Sequence, residues 1–386
     1  MSGSSALRIL LVDDDPAILR AYGSTLARQG AKVETAASGA DAAELLKVAS
    51  FDVIVSDISM PRMNGIEFLK TVRARDLDVP VILVTGAPGV ESAMRAVEYG
   101  ASRYMAKPVL GQDLWDAVVH AATLHELARV KRDALELPGG EGERLGERAA
   151  LEVRFAGAMR LLWMAFQPIV GWRDQRVFGY EALLRSDEAG MKGPGDILDA
   201  AERLGRVHDL GRAVRARVAA AGVSAESAGA RLFVNLHSAD LNDEELYSPD
   251  APLSRIADRV VLEVTERASL HGVKNVAARV AKLKALGYQI AVDDLGAGYA
   301  GLTSFTQLEP EVAKLDMTLV RGVDADPRRQ SIIRSMKKLC DELGMLVIAE
   351  GVETAAERDL LAELGCDLLQ GYLFARPERG FSAPRW

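Results

Sequence analysis

Polar residues that directly follow short apolar segments constrain the fold of this chain more than any other feature. They fall between residues 181 and 370, and each acidic or amide member stands where a predicted strand ends. The members are Glu181, Asn235, Glu263, the pair Asp293 and Asp294, and Glu350, with Lys314 as the one cation in the series. The carboxyl ends of barrel strands meet at one mouth, where oxygen ligands can hold hard divalent cations. The pattern therefore predicts a metal site at the mouth of a TIM-like (β/α) barrel.

The size and charge of the chain limit its partners. Its 386 residues are enough for two domains, and its net charge is -8 with a pI of about 5.4. An acidic chain is not attracted to a nucleic-acid backbone, so we expect no nucleic-acid polymer as a partner. A small anionic substrate stays possible if bound cations offset the charge of the protein.

The cysteines and the amino-terminal segment indicate the cellular compartment in which we expect the protein. Cys340 and Cys366 form no CxxC pair, so a disulfide or zinc framework is not indicated and a reducing cytoplasm fits. The apolar run from Leu7 to Val12 leads straight into three aspartates, which is typical of a first strand rather than a signal peptide. No apolar run approaches the length of a membrane span, so we expect no membrane insertion.

Strand and helix patterns alternate over the first third of the chain, which predicts a doubly wound, flavodoxin-like α/β domain. The apolar runs that read as buried parallel strands are Arg8–Val12, Asp52–Ser56 and Val79–Val84. A helical pattern then continues to Leu135 and breaks at Pro138, and its apolar spacing suits a coiled coil or an exposed linker equally well. The predicted divisions are a first domain over 1–128, a helical linker over 129–150 and the barrel domain over 151–386.

A second set of strand-end residues predicts a phosphoacceptor pocket in the first domain. Asp13 and Asp14 follow the first strand and Asp57 ends another, so the three carboxylates can hold one Mg²⁺. Asp57 can then act as the nucleophile toward a phosphoryl group. Thr85 and Lys107 end two further strands and are suited to binding the phosphoryl oxygens. The alternative is a fold of the same class in which the aspartates only cap helices.

These residues closely resemble the receiver domain of bacterial response regulators, in order and in spacing. The resemblance implies that a sensor histidine kinase phosphorylates Asp57. The Mg²⁺ ligands that it implies are Asp13, Asp14, Asp57 and the backbone carbonyl of Ser59. The switch residues that it implies are Thr85, Lys107 and the aromatic Tyr104.

The second part of the chain resembles the EAL family of cyclic di-GMP phosphodiesterases. The matching segments include Tyr180-Glu181-Ala182-Leu183-Leu184-Arg185, Val234-Asn235-Leu236, Leu262-Glu263-Val264-Thr265-Glu266, Asp293-Asp294-Leu295-Gly296, Lys314-Leu315-Asp316, Glu350-Gly351-Val352-Glu353 and Gln370-Gly371-Tyr372. The chemistry is readable from the residues as well. Two cations bridged by a carboxylate can generate a nucleophile and stabilise in-line displacement at a phosphodiester, and Asp293 is the natural bridge.

The resemblance implies roles for individual residues. The implied metal ligands are Glu181, Asn235, Glu263, Asp293, Asp294, Glu350 and Gln370, for two Mg²⁺ or Mn²⁺ ions. The implied substrate contacts are Gln167, Arg185 and Asp316. Glu266 and Glu353 are implied as carboxylates that hold the loop after Asp294, and Glu353 counts with the catalytic set. Lys314 can deprotonate or orient the attacking water, or stabilise its developing charge; whether nearby metals or carboxylates dominate its pKa stays open.

The sequence thus predicts a two-component response regulator that hydrolyses cyclic di-GMP to pGpG under the control of Asp57 phosphorylation. We expect a homodimer, whose activation depends on the loop after Asp294; there Leu295, Ala297 and Ala300 depart from the family pattern. The main alternative is a catalytically silent cyclic di-GMP receptor or a protein-interaction module, which typically lacks metal ligands that this chain retains. A dinucleotide-binding GxGxxG reading of residues 296–301 is weaker, because two aspartates directly before the glycines would repel a pyrophosphate.

Overall fold

The chain forms two compact units, which a computed structural model describes over residues 6–74, 79–135, 140–191, 193–223, 229–265, 273–296 and 301–386. The first unit comprises Met1–Leu161 together with Asp187–Lys192, and the second comprises Leu162–Ser186 together with Gly193–Trp386. Within the described residues, no helix has the length and apolar character needed to cross a membrane.

The first unit contains a parallel five-stranded sheet of order β2-β1-β3-β4-β5. Its strands are β1 (Arg8–Val12), β2 (Lys32–Ala36), β3 (Val53–Asp57), β4 (Val81–Thr85) and β5 (Arg103–Ala106). Its helices are α1 (Pro16–Arg28), α2 (Gly39–Val48), α3 (Gly65–Ala74), α4 (Val90–Glu98), α5 (Gly111–Leu135) and α6 (Gly140–Arg160). The predicted doubly wound α/β fold is confirmed.

The central strands are apolar throughout because both faces of the sheet are covered. Along β1, Ile9 and Leu11 enter one apolar core, while Leu10 and Val12 enter the core on the opposite face. Alternate side chains of a strand point to opposite faces, so each core receives every second residue. The carboxyl ends of these strands are thereby held at one edge of the sheet.

The segment predicted as a linker is a pair of helices that pack against each other, α5 and α6. The predicted break after Leu135 falls between them, at residues outside the described part of the chain. Helix α6 continues past residue 151, where we predicted the barrel domain to begin, and the first unit extends to Leu161. The boundaries at residues 128 and 150 stay predictions.

The second unit is a closed barrel of eight strands, which confirms the predicted TIM-like fold. Its strands are β6 (Leu162–Gly171), β7 (Arg176–Ser186), β8 (Arg231–Asn235), β9 (Val260–Thr265), β10 (Gln289–Leu295), β11 (Val312–Leu315), β12 (Leu346–Ala349) and β13 (Leu368–Leu369), and the short β14 (Glu378–Arg379) also pairs with β6. Its helices are α7 (Pro194–Leu204), α8 (Val207–Gly222), α9 (Val276–Ala285), α10 (Gly301–Leu308), α11 (Met317–Val320), α12 (Pro327–Glu342) and α13 (Ala355–Glu363).

The first barrel strand runs opposite to the others. Strand β6 is antiparallel to β7 on one side and to β13 on the other, whereas the remaining neighbours are parallel. A hairpin joins β6 to β7 through Gln175, whose φ of 48° lies in the left-handed region. The strand-helix alternation expected of a (β/α) barrel therefore begins only at β7, and short 3-10 helices replace the α-helix between β8 and β9.

An apolar layer inside the barrel supports the candidate site. It consists of Ile169, Phe233, Val261, Ala291, Val312 and Ile348. Side chains two residues apart on a strand share a face, so the next inward residues are Asn235, Glu263, Asp293, Lys314 and Glu350. On the reversed strand β6, the residue at the same mouth precedes Ile169 and is Gln167. The reversal of β6 thus adds an amide to the ring of strand-end side chains.

Candidate functional site

Lys314 lies at the centre of the barrel mouth among four carboxylates. Its Nζ is 2.5 Å from an oxygen of Glu350, 2.6 Å from Glu263, 3.3 Å from Asp293 and 3.4 Å from Glu181. The side chain of Lys314 is completely buried. One ammonium cannot neutralise four carboxylates, so this cluster has an excess of negative charge that further cations can offset.

The charges of the cluster shift the pKa values of its members in different directions. Burial lowers the pKa of Lys314, but the surrounding carboxylates outweigh burial and hold it well above its ordinary value. Burial raises the pKa of Glu263 strongly and that of Glu350 to about 8. The pKa of Glu181 is lowered, because Lys314 and the hydrogen bonds that the carboxylate accepts outweigh its burial. The carboxylates therefore favour the ammonium form of Lys314 in the metal-free protein.

Two amides hold the Glu181 carboxylate in place. Asn235 donates to its Oε1 at 3.1 Å, and Gln370 donates to its Oε2 at 2.7 Å. Gln370 also donates to Gln167 Oε1 at 3.1 Å, and Gln167 donates to the carbonyl of Ala375 at 3.0 Å. These bonds connect the antiparallel strand β6 to the strands that carry the acidic residues.

An irregularity in β10 directs two consecutive carboxylates to the mouth. In a regular strand, neighbours such as Asp293 and Asp294 point to opposite faces. Here the register with β11 shifts between Val292 and Leu295, and Asp294 has a φ of 58°. Carboxylate oxygens of Asp293, Asp294 and Glu350 consequently lie within 4.8 Å of one another. Such strain in a non-glycine residue is typical of a functional site.

The donor set fits divalent cations. Among the described residues, the buried acceptors without a hydrogen-bond partner include Oε2 of Glu263 and Oε1 of Gln370. Buried acceptors are rarely left unpaired, and these converge on the same small volume. Carboxylate and amide oxygens are the ligands that Mg²⁺ and Mn²⁺ prefer.

A second acidic cluster in the barrel unit has a different charge balance. It contains His208, Asp240 and Asp243. Arg215 pairs with Asp243 at 2.5 Å and with Asp240 at 3.4 Å, and Arg212 pairs with Asp243 at 2.6 Å. The arginines neutralise these carboxylates, so the cluster stabilises the fold and we assign it no cation.

A cleft opens beside the cluster and contains several predicted residues. Its lining includes Gln167, Glu181, Asp294, Asp316, Glu350, Glu353 and Gln370. Asp316 is buried and accepts a hydrogen bond from the backbone of Thr318 at 2.9 Å, which caps α11. Glu353 pairs with Arg321 at 2.5 Å. Arg185 is not part of this lining, and its guanidinium donates to the carbonyl of Leu184 at 2.7 Å.

Some residues at the cleft were not predicted, and some predicted residues are not described. Met317, Arg321 and Tyr372 line the cleft. Tyr372 follows Gln370 by two residues and belongs to a segment that matches the EAL family. That match indicated no role for the tyrosine. Glu266 lies outside the described residues, as do Ala297 and Ala300.

A larger cavity adjoins the other side of Glu181 and Asn235. Its apolar lining comes from Met164 and from residues of β7, α7, α8 and the chain after β8, namely Leu184, Leu198, Leu210, Val214 and Leu236. The candidate metal ligands therefore lie between a polar cleft and an apolar cavity.

The first unit brings its predicted residues together at the carboxyl edge of the sheet. Lys107 Nζ is 2.7 Å from Asp13 and 2.8 Å from Asp57. Burial alone would lower the pKa of Lys107. Its bonds with the two aspartates raise the pKa by a larger amount, so the net pKa lies above the ordinary value. Thr85 is buried at the end of β4, beside this pair, and Asp14 is exposed.

Two further contacts complete this pocket. Asp57 Oδ2 accepts a hydrogen bond from the backbone of Ser59 at 2.8 Å, and Asp57 Oδ1 is the oxygen that lies 2.8 Å from Lys107 Nζ. The hydroxyl of Tyr104 lies 2.8 Å from that of Ser92 on α4. Both carboxylate oxygens of Asp57 are thus held at the sheet edge, one of them by the Lys107 ammonium group.

Comparisons with known families match both units. The EAL domain family model matches residues 152–377, and the response regulator receiver domain model matches residues 9–119. The chain therefore belongs to the EAL domain family and carries a receiver domain before the EAL domain.

Individual relatives agree with this assignment. The cyclic di-GMP phosphodiesterase PdeR of Escherichia coli (strain K12) is 30% identical over 232 residues, which are 57% of this chain and 34% of that protein. An uncharacterized protein of Azorhizobium caulinodans is 30% identical over 307 residues, 74% of this chain and 42% of that protein. The chain thus spans less than half the length of these curated relatives.

Among solved structures, a calcium and cyclic di-GMP complex of Klebsiella pneumoniae BlrP1 is similar to this chain. It has a TM-score of 0.52 at 25% identity and covers 74% of this chain and 77% of its own. The PaMucR phosphodiesterase in complex with c-di-GMP has a TM-score of 0.51 at 26% identity, covering 65% of this chain and 97% of its own.

Proposed function

We propose that the barrel hydrolyses cyclic di-GMP to pGpG with two Mg²⁺ or Mn²⁺ ions. The observation that carries this proposal is the buried cluster of four carboxylates around the single cation Lys314. The similarity to PdeR, named as a cyclic di-GMP phosphodiesterase, supports the choice of substrate. The BlrP1 complex supports divalent cations together with this ligand.

The ligands divide into two groups around Asp293. Glu181, Asn235, Glu263 and Asp293 would hold one cation. Asp293, Asp294 and Glu350 would hold the other, with Gln370 acting directly or through water. When bound, the cations supply an activated water and neutralise the charge of the phosphodiester.

The residues around these ligands orient the Glu181 carboxylate, stabilise the attacking water and hold the loop after Asp294. Asn235 and Gln370 fix the rotamer of Glu181 by donating to both of its carboxylate oxygens. Lys314 contacts four carboxylates, which favour its ammonium form, so we assign it electrostatic support of the attacking water rather than the role of a base. Glu353 and Glu266 would hold the loop that follows Asp294.

The two recesses beside Glu181 suit a ligand with two nucleobases. The polar cleft contains Gln167 and Asp316, which we assign to one nucleotide. The apolar cavity offers a surface for the second planar base. Arg185, at the end of β7, would contact a substrate phosphate with its guanidinium group.

The receiver would control this activity. A sensor histidine kinase would phosphorylate Asp57, with one Mg²⁺ held by Asp13, Asp14, Asp57 and the carbonyl of Ser59. Thr85, Lys107 and Tyr104 would respond as the switch residues. We further propose a homodimer, in which ordering of the loop after Asp294 adjusts the metal ligands at its root.

A catalytically silent cyclic di-GMP receptor is the second candidate. Retention of every predicted ligand and of Lys314 favours the enzyme, because a receptor does not need a charge excess at the barrel mouth. Binding without hydrolysis would favour the receptor.

Product analysis separates the two candidates. Cyclic di-GMP is incubated with the full chain in Mg²⁺ or in EDTA, and binding is measured separately in Ca²⁺ to block hydrolysis. We expect pGpG only in Mg²⁺, and almost none from Glu181→Ala, with Glu147→Ala on the surface of α6 as the matched control. Binding in Ca²⁺ without product in Mg²⁺ would establish the receptor, and undiminished turnover in EDTA would refute the metal mechanism.

A further inference from the structure

The chain after residue 377 pairs a second time with the first strand of the barrel. The EAL model matches the chain up to residue 377, and β14 follows directly. Strand β13 pairs with β6 at Gly171 and Val170, whereas β14 pairs with it at Phe166 and Ala165. The start of β6 lies beside the end of β7, which is the mouth side of the barrel. Strand β14 therefore covers the edge of β6 close to the candidate site.

Phe381, shortly after β14, packs against two aromatic rings of β6 and β7. The centroid of its ring is 4.4 Å from that of Phe166 and 4.9 Å from that of Tyr180, and both partners are buried. The hydroxyl of Tyr180 donates to the carbonyl of Ser382 at 3.3 Å. Gly380 has a φ of 90°, in the left-handed region that favours glycine. This turn brings Phe381 onto the two strands.

The two partner rings lie directly behind site residues. Phe166 precedes Gln167, and Tyr180 precedes Glu181. Neighbouring side chains of a strand point to opposite faces, so these rings lie on the outer face of the strands. Residues 172–175, which the structure describes, form the whole connection between β6 and β7 and are too few for a crossover helix that would cover this face. Phe381 supplies part of the missing cover.

The chain that leads to Phe381 also fixes the direction of the Gln167 amide. The amide nitrogen of Gln167 donates to the carbonyl of Ala375 at 3.0 Å, and its oxygen accepts from Gln370 at 3.1 Å. An amide has one donor end and one acceptor end, so the carbonyl of Ala375 determines that the oxygen of Gln167 faces Gln370. The nitrogen of Gln370 also donates to Glu181 at 2.7 Å. One backbone carbonyl thus orients a chain of side chains across the site.

The carbonyl of Ala375 lies in a stretch of chain that is held from two sides. The backbone N–H of Arg385 donates to the carbonyl of Phe374 at 2.9 Å. Glu378, three residues after Ala375, pairs with Phe166 on β6. Residues 378–385 contain both of these attachments, with Phe381 between them. Loss of the Phe381 contacts would therefore loosen the hold on the carbonyl that accepts from Gln167.

We propose that Phe381 is a positioning residue that fixes the amide of Gln167 by holding the chain around Ala375 against β6. Phe381 then acts on the ligand through Gln167, without contacting the ligand itself. The effect on ligand binding rests on the proposed function, in which Gln167 contacts the substrate. The effect on β6 does not depend on that function.

A double-mutant cycle on cyclic di-GMP affinity tests whether Phe381 acts through Gln167. Binding to the full chain is measured in Ca²⁺, which blocks hydrolysis. We expect Phe381→Ala to weaken binding several-fold and Phe381→Tyr, which keeps the ring, to bind like wild type. Phe381→Ala should cost no further affinity when it is added to Gln167→Ala, because the group through which it acts is then absent.

Phe178→Ala is the matched control, because it removes a ring at the opposite end of β7. Phe178 is half-buried, like Phe381, and packs against Phe233 at 6.2 Å between ring centroids. We expect this variant to lower the stability of the barrel and to leave the affinity for cyclic di-GMP unchanged. Affinity losses that add in the double variant of Phe381 and Gln167, or an equal loss in Phe178→Ala, would overturn the proposal.

Hydrogen–deuterium exchange tests the placement of β6 without any ligand. We expect Phe381→Ala to speed backbone exchange over residues 162–167 of the metal-free protein more than over residues 168–171, which include the pairing with β13. Phe381→Tyr should exchange like wild type. Gly380→Ala should show a smaller increase, because its Cβ has open space but its φ strains an alanine.

Unchanged exchange over residues 162–167 in Phe381→Ala would overturn the proposal. If the exchange result holds but the wild-type chain does not bind cyclic di-GMP, the proposed function fails and the role of Phe381 in placing β6 stands. If cyclic di-GMP binds but the affinity losses add, the proposed function stands and the positioning role fails.

Discussion

The receiver pocket and the barrel mouth use the same groups in different surroundings. Each places a lysine against aspartate or glutamate side chains at the carboxyl edge of a sheet. In the receiver, Lys107 contacts two carboxylates and its side chain is 21% exposed. In the barrel, Lys314 contacts four carboxylates and its side chain is 1% exposed.

The difference shows how burial changes the same chemistry. Water near Lys107 screens the charges, and the number of carboxylates nearly matches what one ammonium and one divalent cation can neutralise. At the barrel mouth Lys314 is fully buried and the carboxylates outnumber it, so protons or cations must complete the balance. The receiver pocket is therefore suited to a reversible phosphoryl group, and the barrel to tightly held metal ions.

Removal of Lys314 should have the largest effect on catalysis. We expect Lys314→Ala to lower kcat by about 10²-fold or more, because the group acts mainly on the transition state. Cyclic di-GMP affinity, measured in Ca²⁺, should stay within a few-fold of wild type. Lys107→Ala is the matched control in the receiver. Loss of binding with kcat preserved at saturation would make Lys314 a simple phosphate contact.

Competition between a proton and a metal ion for the Glu350 carboxylate should give the next largest effect, a dependence of metal affinity on pH. Burial, together with Asp293 and Glu181, raises the pKa of Glu350 to about 8 in spite of Lys314. The folded state then binds a proton that the unfolded state releases, so the metal-free barrel should lose stability from the ordinary pKa up to about 8 and level off above. A cation must displace this proton, so metal affinity should rise by up to about tenfold per pH unit over the same window.

Mn²⁺ titrations at pH values on both sides of the Glu350 pKa measure this slope. Glu350→Gln carries no proton to displace, so its weaker affinity should vary less with pH. An equal slope in wild type and variant would assign the proton to another group of the cluster.

Substitution of Asp57 should have a moderate effect that is confined to regulation. We expect Asp57→Asn to take up no phosphoryl group from acetyl phosphate, because the amide is not a nucleophile. The hydrolysis rate and the oligomer profile of this variant should not change when the phosphodonor is added, whereas both should change in wild type. Mass spectrometry, sedimentation and rate assays provide the readouts. Identical responses of variant and wild type would show that phosphorylation of Asp57 does not control the barrel.

The stability difference between the two lysines should be the smallest effect. In EDTA, Lys107→Ala should cost about 1 kcal/mol of unfolding free energy, as for a partly exposed ion pair. Lys314→Ala should cost about 3–5 kcal/mol, because four carboxylates stay buried without their cation. Denaturant melts that follow each unit separately compare the two values. Equal costs would mean that burial does not distinguish the sites.

The sequence predicted the architecture where a strand is covered on both faces. Strand β1 was predicted at its observed bounds, and β3 and β4 within two residues, because such strands are apolar throughout. Asn235 ends β8 as predicted, whereas Glu181 lies in the middle of β7, which continues to Ser186 along its antiparallel partner β6, and Glu263 precedes the last two residues of β9. The roles assigned to them stay predictions.

Other features depend on contacts that no local pattern reports. The antiparallel direction of β6 is set by its partners, since β6 is apolar like its neighbours. The surroundings of Lys314 require the barrel to close, so the sequence could not decide between metals and carboxylates as the dominant influence on its pKa.

Equilibrium dialysis with Mn²⁺ tests the central claim most directly, by counting the cations that each variant binds. We expect two cations at the barrel mouth and one in the receiver. Glu181→Ala should lose one barrel cation and keep the other together with the receiver cation, whereas Asp13→Ala should lose only the receiver cation. The same count in wild type and in Glu181→Ala would contradict the assignment of the lysine-centred carboxylate cluster as the metal centre.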